Sequence, residues 1–352
     1  MTDFETKKLD AAVLKFIHDH SENESTDEAF NGLALQIFAY QHRRNALYRR
    51  FCRMQGKGPK NVLHWRQVPA MPAAGFKELV LTTFPKKNSI KIFRTSGTTS
   101  ATGTSADALG LRGAHFFDTL RLYEAAIVPP FRRFLLKGTP GVDLRFLISS
   151  PKDAPDSSLS FMMGVVRRKF AKGGGRFYIK EGRPLFRELT VDLGQVKSKV
   201  VVLATALALK GFLDYLKRKK ISLRLPVGSR LMETGGFKGA LRSVSKAVLY
   251  AECEKVLGIS KNDCVSEYGM TELSSQFYSE GPKGLFRGPA WTRTLECKGL
   301  LRHFDLANRG SVMAVQTEDR GKMRSGGFEL LGRAKGAELR GCSLSYEEFI
   351  RQ

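Results

Sequence analysis

Two apolar runs, VDLRFLISS (142–150) and KVVVLATAL (199–207), constrain the fold more than any other feature of the chain. Each has strand length and is almost continuously aliphatic, the pattern of a strand buried on both faces. Such strands belong to parallel sheets covered by helices. SRLMETGG (229–236) and NDCVSEYGM (262–270) read as further strands ending in turns, and IKIF (90–93) as a short one. Helical stretches, GAHFFDTLRLYEAAI (113–127) and LKGFLDYLKRK (209–219), separate some of them. This alternation predicts an α/β fold: parallel or mixed sheets flanked by helices, with ligands at the carboxyl ends of the strands.

Outside that region two further patterns stand out. Residues 25–51 read as one long amphipathic helix, capped by Ser25 or Thr26, with Phe30, Leu33, Ala34, Ile37, Phe38 and Gln41 on one stripe. A connector rich in proline and glycine follows (56–76). From about residue 300 the pattern is β-rich: GLLRHFDL, SVMAVQTED, GFELLGR and AELRGCSL. The expected division is a large domain over 1–300 and a small β-rich region over 301–352, ending in a tail.

The balance of 58 Lys and Arg against 34 Asp and Glu leaves a formal charge of +24. Such charge attracts phosphate backbones, so a nucleic-acid-binding protein is one reading. The basic clusters at 43–53, 167–170 and 216–220 are spread along the chain, however, and fall on polar helix faces. That weighs toward an acidic protein partner, an anionic lipid surface or a solubilising surface. No apolar run approaches the ~18 residues of a membrane span, and the charged N-terminus lacks a secretory signal pattern. Five cysteines without paired spacing fit a reducing cytoplasm better than a disulfide framework or a zinc site.

Chemistry concentrates in three stretches. Between Thr95 and Ser105 there are eight hydroxyl side chains, two glycines and one alanine. The stretch is not a Walker-type loop: Gly97 and Gly103 stand one residue too far apart, and Thr104 replaces the lysine. Backbone N–H groups and hydroxyls at Thr95, Ser96, Gly97, Thr98 and Thr99 could still wrap a phosphate; a solvated Ser/Thr linker is the alternative. In SEYGMTE (266–272), Tyr268 offers a ring to stack on a base, Gly269 a turn, Thr271 a phosphate donor and Glu272 a hard oxygen ligand for Mg²⁺. Taken singly, Tyr268 also reads as core and Glu272 as an exposed turn residue. TEDRGKMRSGGFELLGR (317–333) sets Asp319 after one strand and Arg333 after the next, suited to ribose hydroxyls or to a charged surface hairpin.

In this order and spacing the stretches resemble the adenylate-forming superfamily of acyl- and aryl-CoA ligases, luciferases and peptide-synthetase adenylation domains. TSGTT (95–99) resembles its phosphate loop, YGMTE (268–272) its adenine and magnesium motif, TED (317–319) its Thr-Gly-Asp and LGR (331–333) its hinge-side arginine. ETGGFKG (233–239) resembles the turn whose backbone, at Gly235 and Gly236, lies along the adenine. Within the superfamily the whole chain looks like the acyl-protein synthetase (LuxE-type) family. That narrower resemblance is carried by FNGLALQIFAYQHRRNALYRRF (30–51), SSPKDAPDSSLSFMMG (149–164), LLRHFDLANRGSVMAVQTED (300–319) and GRAKGAELRGCSL (332–344).

The resemblance implies ATP and Mg²⁺ as cofactors, a carboxylic acid (a fatty acid in that family) as substrate, and an acyl-adenylate. It implies passage of the acyl group to Cys342, and from there to a reductase partner; the other four cysteines read as small buried hydrophobes. Two departures are plain. Ser100 stands where most members have glycine and the loop lysine is missing. The given chain ends 19 residues after Arg333, where they continue into a domain whose lysine contacts the reacting carboxylate. Lys238, Lys322 and Lys335 are candidates for that charge. An acid–CoA ligase of the phenylacetate type is the alternative reading, and a scaffold subunit without catalysis a further one.

Overall fold

The computed structural model describes residues 3–95, 112–235 and 244–334. The chain forms two compact units: Met1–Ala126 with Met270–Ser275 and Arg287–Gln352, and Ile127–Gly269 with Gln276–Phe286.

The first unit begins with helices α1 (Phe4–Asp19), α2 (Asp27–Arg44) and α3 (Ala46–Met54). The single helix expected over 25–51 is thus two. Asn45 breaks it: its backbone leaves the helical region (φ −100°, ψ 101°), and its side chain accepts from the Tyr48 amide at 3.0 Å to cap α3. Thr26 caps α2, accepting from the Ala29 amide. After β1 (Met71–Pro72) and α4 (Gly75–Glu78) comes an antiparallel pair, β2 (Lys91–Arg94) and β3 (Ala114–Phe117). The helix expected from residue 113 therefore starts later, as α5 (Arg121–Phe131), because Ala114–Phe117 pair with β2.

Within α5 the chain enters the second unit. There follow β4 (Asp143–Ser149), α6 (Ser158–Phe170), β5 (Arg176–Lys180), β6 (Arg183–Pro184) and α7 (Phe186–Gln195). Next come β7 (Val200–Thr205), α8 (Ala206–Arg218), β8 (Arg230–Thr234), α9 (Lys246–Leu257), β9 (Cys264–Tyr268) and β10 (Phe277–Glu280). The sheet order is β10-β9-β8-β7-β4-β5-β6, and the five central strands pair in parallel. The expected parallel α/β sheet is present. Its apolar runs are buried as their composition requires: Val200, Val202, Leu203 and Leu231 are fully enclosed, and Leu209, Phe212, Leu213 and Leu216 of α8 pack with Val200, Val202 and Leu231. Each such side chain contributes roughly 1.5–3 kcal/mol through burial.

The chain returns to the first unit as β11 (Thr292–Cys297), β12 (Leu300–Asp305), β13 (Ala314–Arg324) and β14 (Gly327–Arg333). They form an antiparallel meander in which β1 joins β13 in parallel. Phe30 of α2 meets Trp65 edge-on, and Trp65 meets Phe304 of β12 in the same way. A bulge at Arg320/Gly321 bends β13; a Cβ on Gly321 would lie 2.5 Å from the Leu301 side chain, so only glycine fits there. Arg309 is wholly enclosed, with Nε and Nη2 donating to Asp10 at 2.6 and 3.0 Å and Nη1 to Asp118 at 2.9 Å. Among the described residues no helix is long and apolar enough to cross a membrane.

Candidate active site

In the second unit, β8 and β9 run side by side, with Thr234 opposite Glu267 in the register. Gly235 follows β8, exposed and at φ +74°, a conformation that favours glycine. Tyr268 closes β9 with its ring against Phe277 and Phe286, at 5.9 and 5.8 Å between centroids. Gly269 comes next. A Cβ on it would meet Glu267 Oε1 at 2.6 Å, so any side chain there would displace that carboxyl group. Gly236 lies outside the described residues.

Two buried carboxyl groups stand at these strand ends that sequence reasoning did not select. Glu233 accepts from the Tyr250 hydroxyl at 3.0 Å, and burial raises its pKa. Glu267 accepts from the Thr234 hydroxyl; burial pushes it from 4.5 up to about 7, against the pull of that hydrogen bond. The sign of the linkage follows. Between pH 4.5 and 7 the folded chain holds a proton that the unfolded chain has released, so this group's contribution falls as pH rises through that window. The shift corresponds to something on the order of 3 kcal/mol. Glu267→Gln removes the titration. Denaturation curves at pH 4.5 and 7.5 should show the wild type losing that much more stability than the variant on going to the higher pH. Parallel losses would mean that Glu267 titrates normally.

The first unit holds the remaining described positions. Thr95 follows β2 and is clasped to the residue before β3: its amide donates to the Gly113 carbonyl at 2.9 Å, and its hydroxyl accepts from the Gly113 amide at the same distance. The Arg112 guanidinium donates to the Thr95 carbonyl at 2.6 Å. Ser96, Gly97, Thr98 and Thr99 lie outside the described residues, as do Cys342 and its tail, Lys238 and Lys335. Two residues past Gly113, His115 Nδ1 is 2.8 Å from the Thr271 carbonyl, so the short segment 113–115 holds both Thr95 and Thr271. Glu272 is 6% exposed, and its carbonyl accepts from Asn308 Nδ2 at 2.8 Å. Asp305 then fixes the next residues, accepting from the Ser274 amide and the Ser275 hydroxyl at 2.8 Å each.

Asp319 and Arg333 face each other across β13 and β14. Arg333 reaches Glu318 at 3.2 Å and Asp319 at 3.9 Å, with about half of its side chain exposed. Thr317 is buried and donates to the Leu301 carbonyl at 2.7 Å, fixing the strand just before Asp319. The four cysteines read as buried hydrophobes divide. Cys52, Cys253 and Cys264 are buried, whereas Cys297 is only half-buried, 3.4 Å from an Arg302 nitrogen.

No group of three or more His, Cys, Asp and Glu suited to a metal gathers among the described residues. A resident all-protein cage is therefore not what these residues build. A single carboxylate such as Glu272 does suit Mg²⁺ that arrives with a nucleotide, since that ion keeps most of its ligands as water and phosphate.

The sequence matches no model of a known protein family and no curated protein. Its structure resembles 2-hydroxyisobutyryl-CoA ligase in the postadenylation state, in complex with 2-HIB-AMP. The TM-score is 0.66 at 14% identity, covering 87% of this chain and 67% of the ligase. An open conformation of that ligase, with 2-HIB-AMP and CoA, gives 0.64 at 14% identity over 87% and 69% of the two chains. A long-chain-fatty-acid-CoA ligase from Archaeoglobus fulgidus gives 0.49 at 12% identity over 75% and 55%. The fold is that of the adenylate-forming ligases. At such identities the likeness speaks for architecture alone.

On that adenylate-forming fold, the residues sequence reasoning overlooked have a common trait. Glu233, Glu267, His115 and Asn308 are buried polar groups inside otherwise apolar or loop-like text. Only the two glutamates carried a signal, an acidic residue two places before a glycine at a strand end.

Proposed function

We propose that the protein is an ATP-dependent acyl-protein synthetase. A carboxylic acid, of the fatty class on the sequence resemblance, attacks the α-phosphorus of ATP; an oxygen–phosphorus bond forms, the α–β bridge breaks and pyrophosphate leaves. The Cys342 thiolate then attacks the activated carbonyl, AMP departs, and a thioester remains for delivery to a reductase partner. The observation that carries the reading is the turn Thr271–Glu272, which follows β9 after Gly269 and Met270 and is held residue by residue on a fold shared with a ligase of acid adenylates.

The chain's own groups divide the work. Gly235 and Gly269 leave room for a flat base beside Tyr268, Asp319 accepts the ribose hydroxyls with Arg333 behind it, and the hydroxyl loop from Thr95 to Thr99 donates to the outgoing phosphates. Thr271 donates to the α-phosphate. Glu272 holds Mg²⁺, which when bound offsets phosphate charge in a loop that lacks a lysine. The thiolate form of Cys342 is the nucleophile of the second step.

The test is intact-mass analysis with ATP, Mg²⁺ and a panel of fatty acids, beside acid-dependent pyrophosphate exchange. Cys342→Ala should keep exchange and lose a label that hydroxylamine releases from the wild type. A label that persists in the variant, or that appears on CoA instead, would replace this reading with the acid–CoA ligase. Absence of exchange with every acid, together with tight binding to nucleic acid at about 0.15 M salt, would favour the nucleic-acid reading.

A further inference from the structure

The turn at 270–275 is gripped from behind by side chains that have no other evident duty. Building on the adenylation reading above, we propose that His115 and Asn308 are positioning residues, which aim the Thr271 hydroxyl and the Glu272 carboxylate by clamping the two successive backbone carbonyls of these residues. His115 comes from β3, Asn308 from the loop between β12 and β13, and both are about 1% exposed.

The clamp is specific in its atoms. A carbonyl oxygen only accepts, so the 2.8 Å contact makes His115 Nδ1 the protonated nitrogen and leaves Nε2 a lone pair. Burial pushes the ring's pKa from 6.5 down to about 4, with the Thr271 carbonyl and Asn308 pulling weakly the other way. The ring is therefore neutral near pH 7, and this tautomer persists across the working range. The Phe76 and Phe117 rings pack on it, with centroids at 5.6 and 4.2 Å, and fix its plane. Asn308 donates to Glu272 at 2.8 Å and is itself anchored from α2, whose buried Gln41 donates to the Asn308 and Arg309 carbonyls at 2.8 and 3.2 Å.

A small cavity lies beside the clamp, lined by His115, Asp118, Ser274, Asn308 and Arg309 among others. It has room for about one water molecule, too little for an acyl chain or a carboxylate. These buried groups therefore support the turn and do not line a substrate pocket. Two carbonyls in a row, each held by a side chain from a different element, leave the Thr271–Glu272 peptide no freedom to rotate. The two functional side chains on that peptide inherit its orientation.

The experiment uses the full chain with ATP, magnesium and the acid panel, read as pyrophosphate exchange. His115→Leu keeps the packing and removes the donor; Asn308→Asp keeps the shape and sets a carboxylate against the carbonyl. Each should lower kcat and raise the half-saturating magnesium concentration by about tenfold, the worth of one buried hydrogen bond, while KM for the acid stays within about threefold. His115→Asn, whose amide nitrogen stands near the place of Nδ1, should restore most of the loss, as a purely packing role would not allow. The two substitutions should also combine less than additively, since both release one segment. Unchanged magnesium dependence in both variants, or an acid KM that rises in step with it, would overturn the clamp. The two positions lie on different elements, so misfolding of one variant leaves the other to decide.

If the wild type showed no exchange with any acid, the adenylation reading would fail by itself. The clamp would then be judged by Trp291, whose indole donates to Ser275 at 3.0 Å within the same segment. In a Trp65→Phe background it is the sole tryptophan, since the chain has two. His115→Leu should shift its emission, and identical spectra would overturn the proposal.

Discussion

Arg309→Met is expected to cost the protein about 3–5 kcal/mol, the largest stability loss of any single substitution proposed for this chain. The arginine is fully enclosed and serves two carboxylates at once, doubly hydrogen-bonded to Asp10 and singly to Asp118. Methionine fills much of the volume but leaves both carboxylates in an apolar setting without a counter-charge. Burial already raises the Asp10 pKa despite the guanidinium, so without it the group protonates or the structure opens. Chemical denaturation should show a lower midpoint with an unchanged slope. Adding Asp10→Asn to the variant should recover part of the loss. A cost below about 1 kcal/mol for Arg309→Met would place the triad among exposed, weak ion pairs.

Glu272→Gln is expected to lower acid-dependent pyrophosphate exchange by at least about 100-fold, on the scale of removing one preorganised electrostatic group from an active site. The substitution is isosteric and leaves the carbonyl that Asn308 holds untouched. What disappears is the charge, and with it the hard anionic ligand that magnesium prefers over an amide. Circular dichroism should show a folded protein. Excess magnesium should restore only a fraction of the rate. Wild-type exchange would remove Glu272 from the mechanism and leave it a buried turn residue.

The parallel sheet was legible in the sequence because its strands are buried on both faces, and such strands have little choice of composition. VDLRFLISS and KVVVLATAL became β4 and β7 with their neighbours where the turns implied. The break at Asn45 was not legible: the apolar stripe runs on through it, and only the capping bond to Tyr48 shows that the helix restarts. Ala114–Phe117 was mistaken for helix because four residues are too few to display a period of two. Of the motif residues, the sequence could indicate that Gly235, Tyr268 and Gly269 stand at strand ends, since glycines there mark the turns. The supporting residues could not be named. Nothing local marks His115 as the partner of Thr271, or Asp10 as the partner of Arg309, because those pairs are 156 and 299 residues apart.

The anchoring of Asn308 by Gln41 has a consequence for biosynthesis. Gln41 is fully buried, and its side chain bonds to the carbonyls of Asn308 and Arg309 and the amide of Met313, more than 260 residues further along the chain. At about 5–20 residues per second, α2 leaves the ribosome something like 15–50 s before those partners exist. Phe30, Leu33, Ile37 and Phe38 of the same helix are buried in the finished protein. The packing of α2 is therefore completed only once residues 308–313 have been synthesised, which makes this helix one of the last parts of its unit to settle.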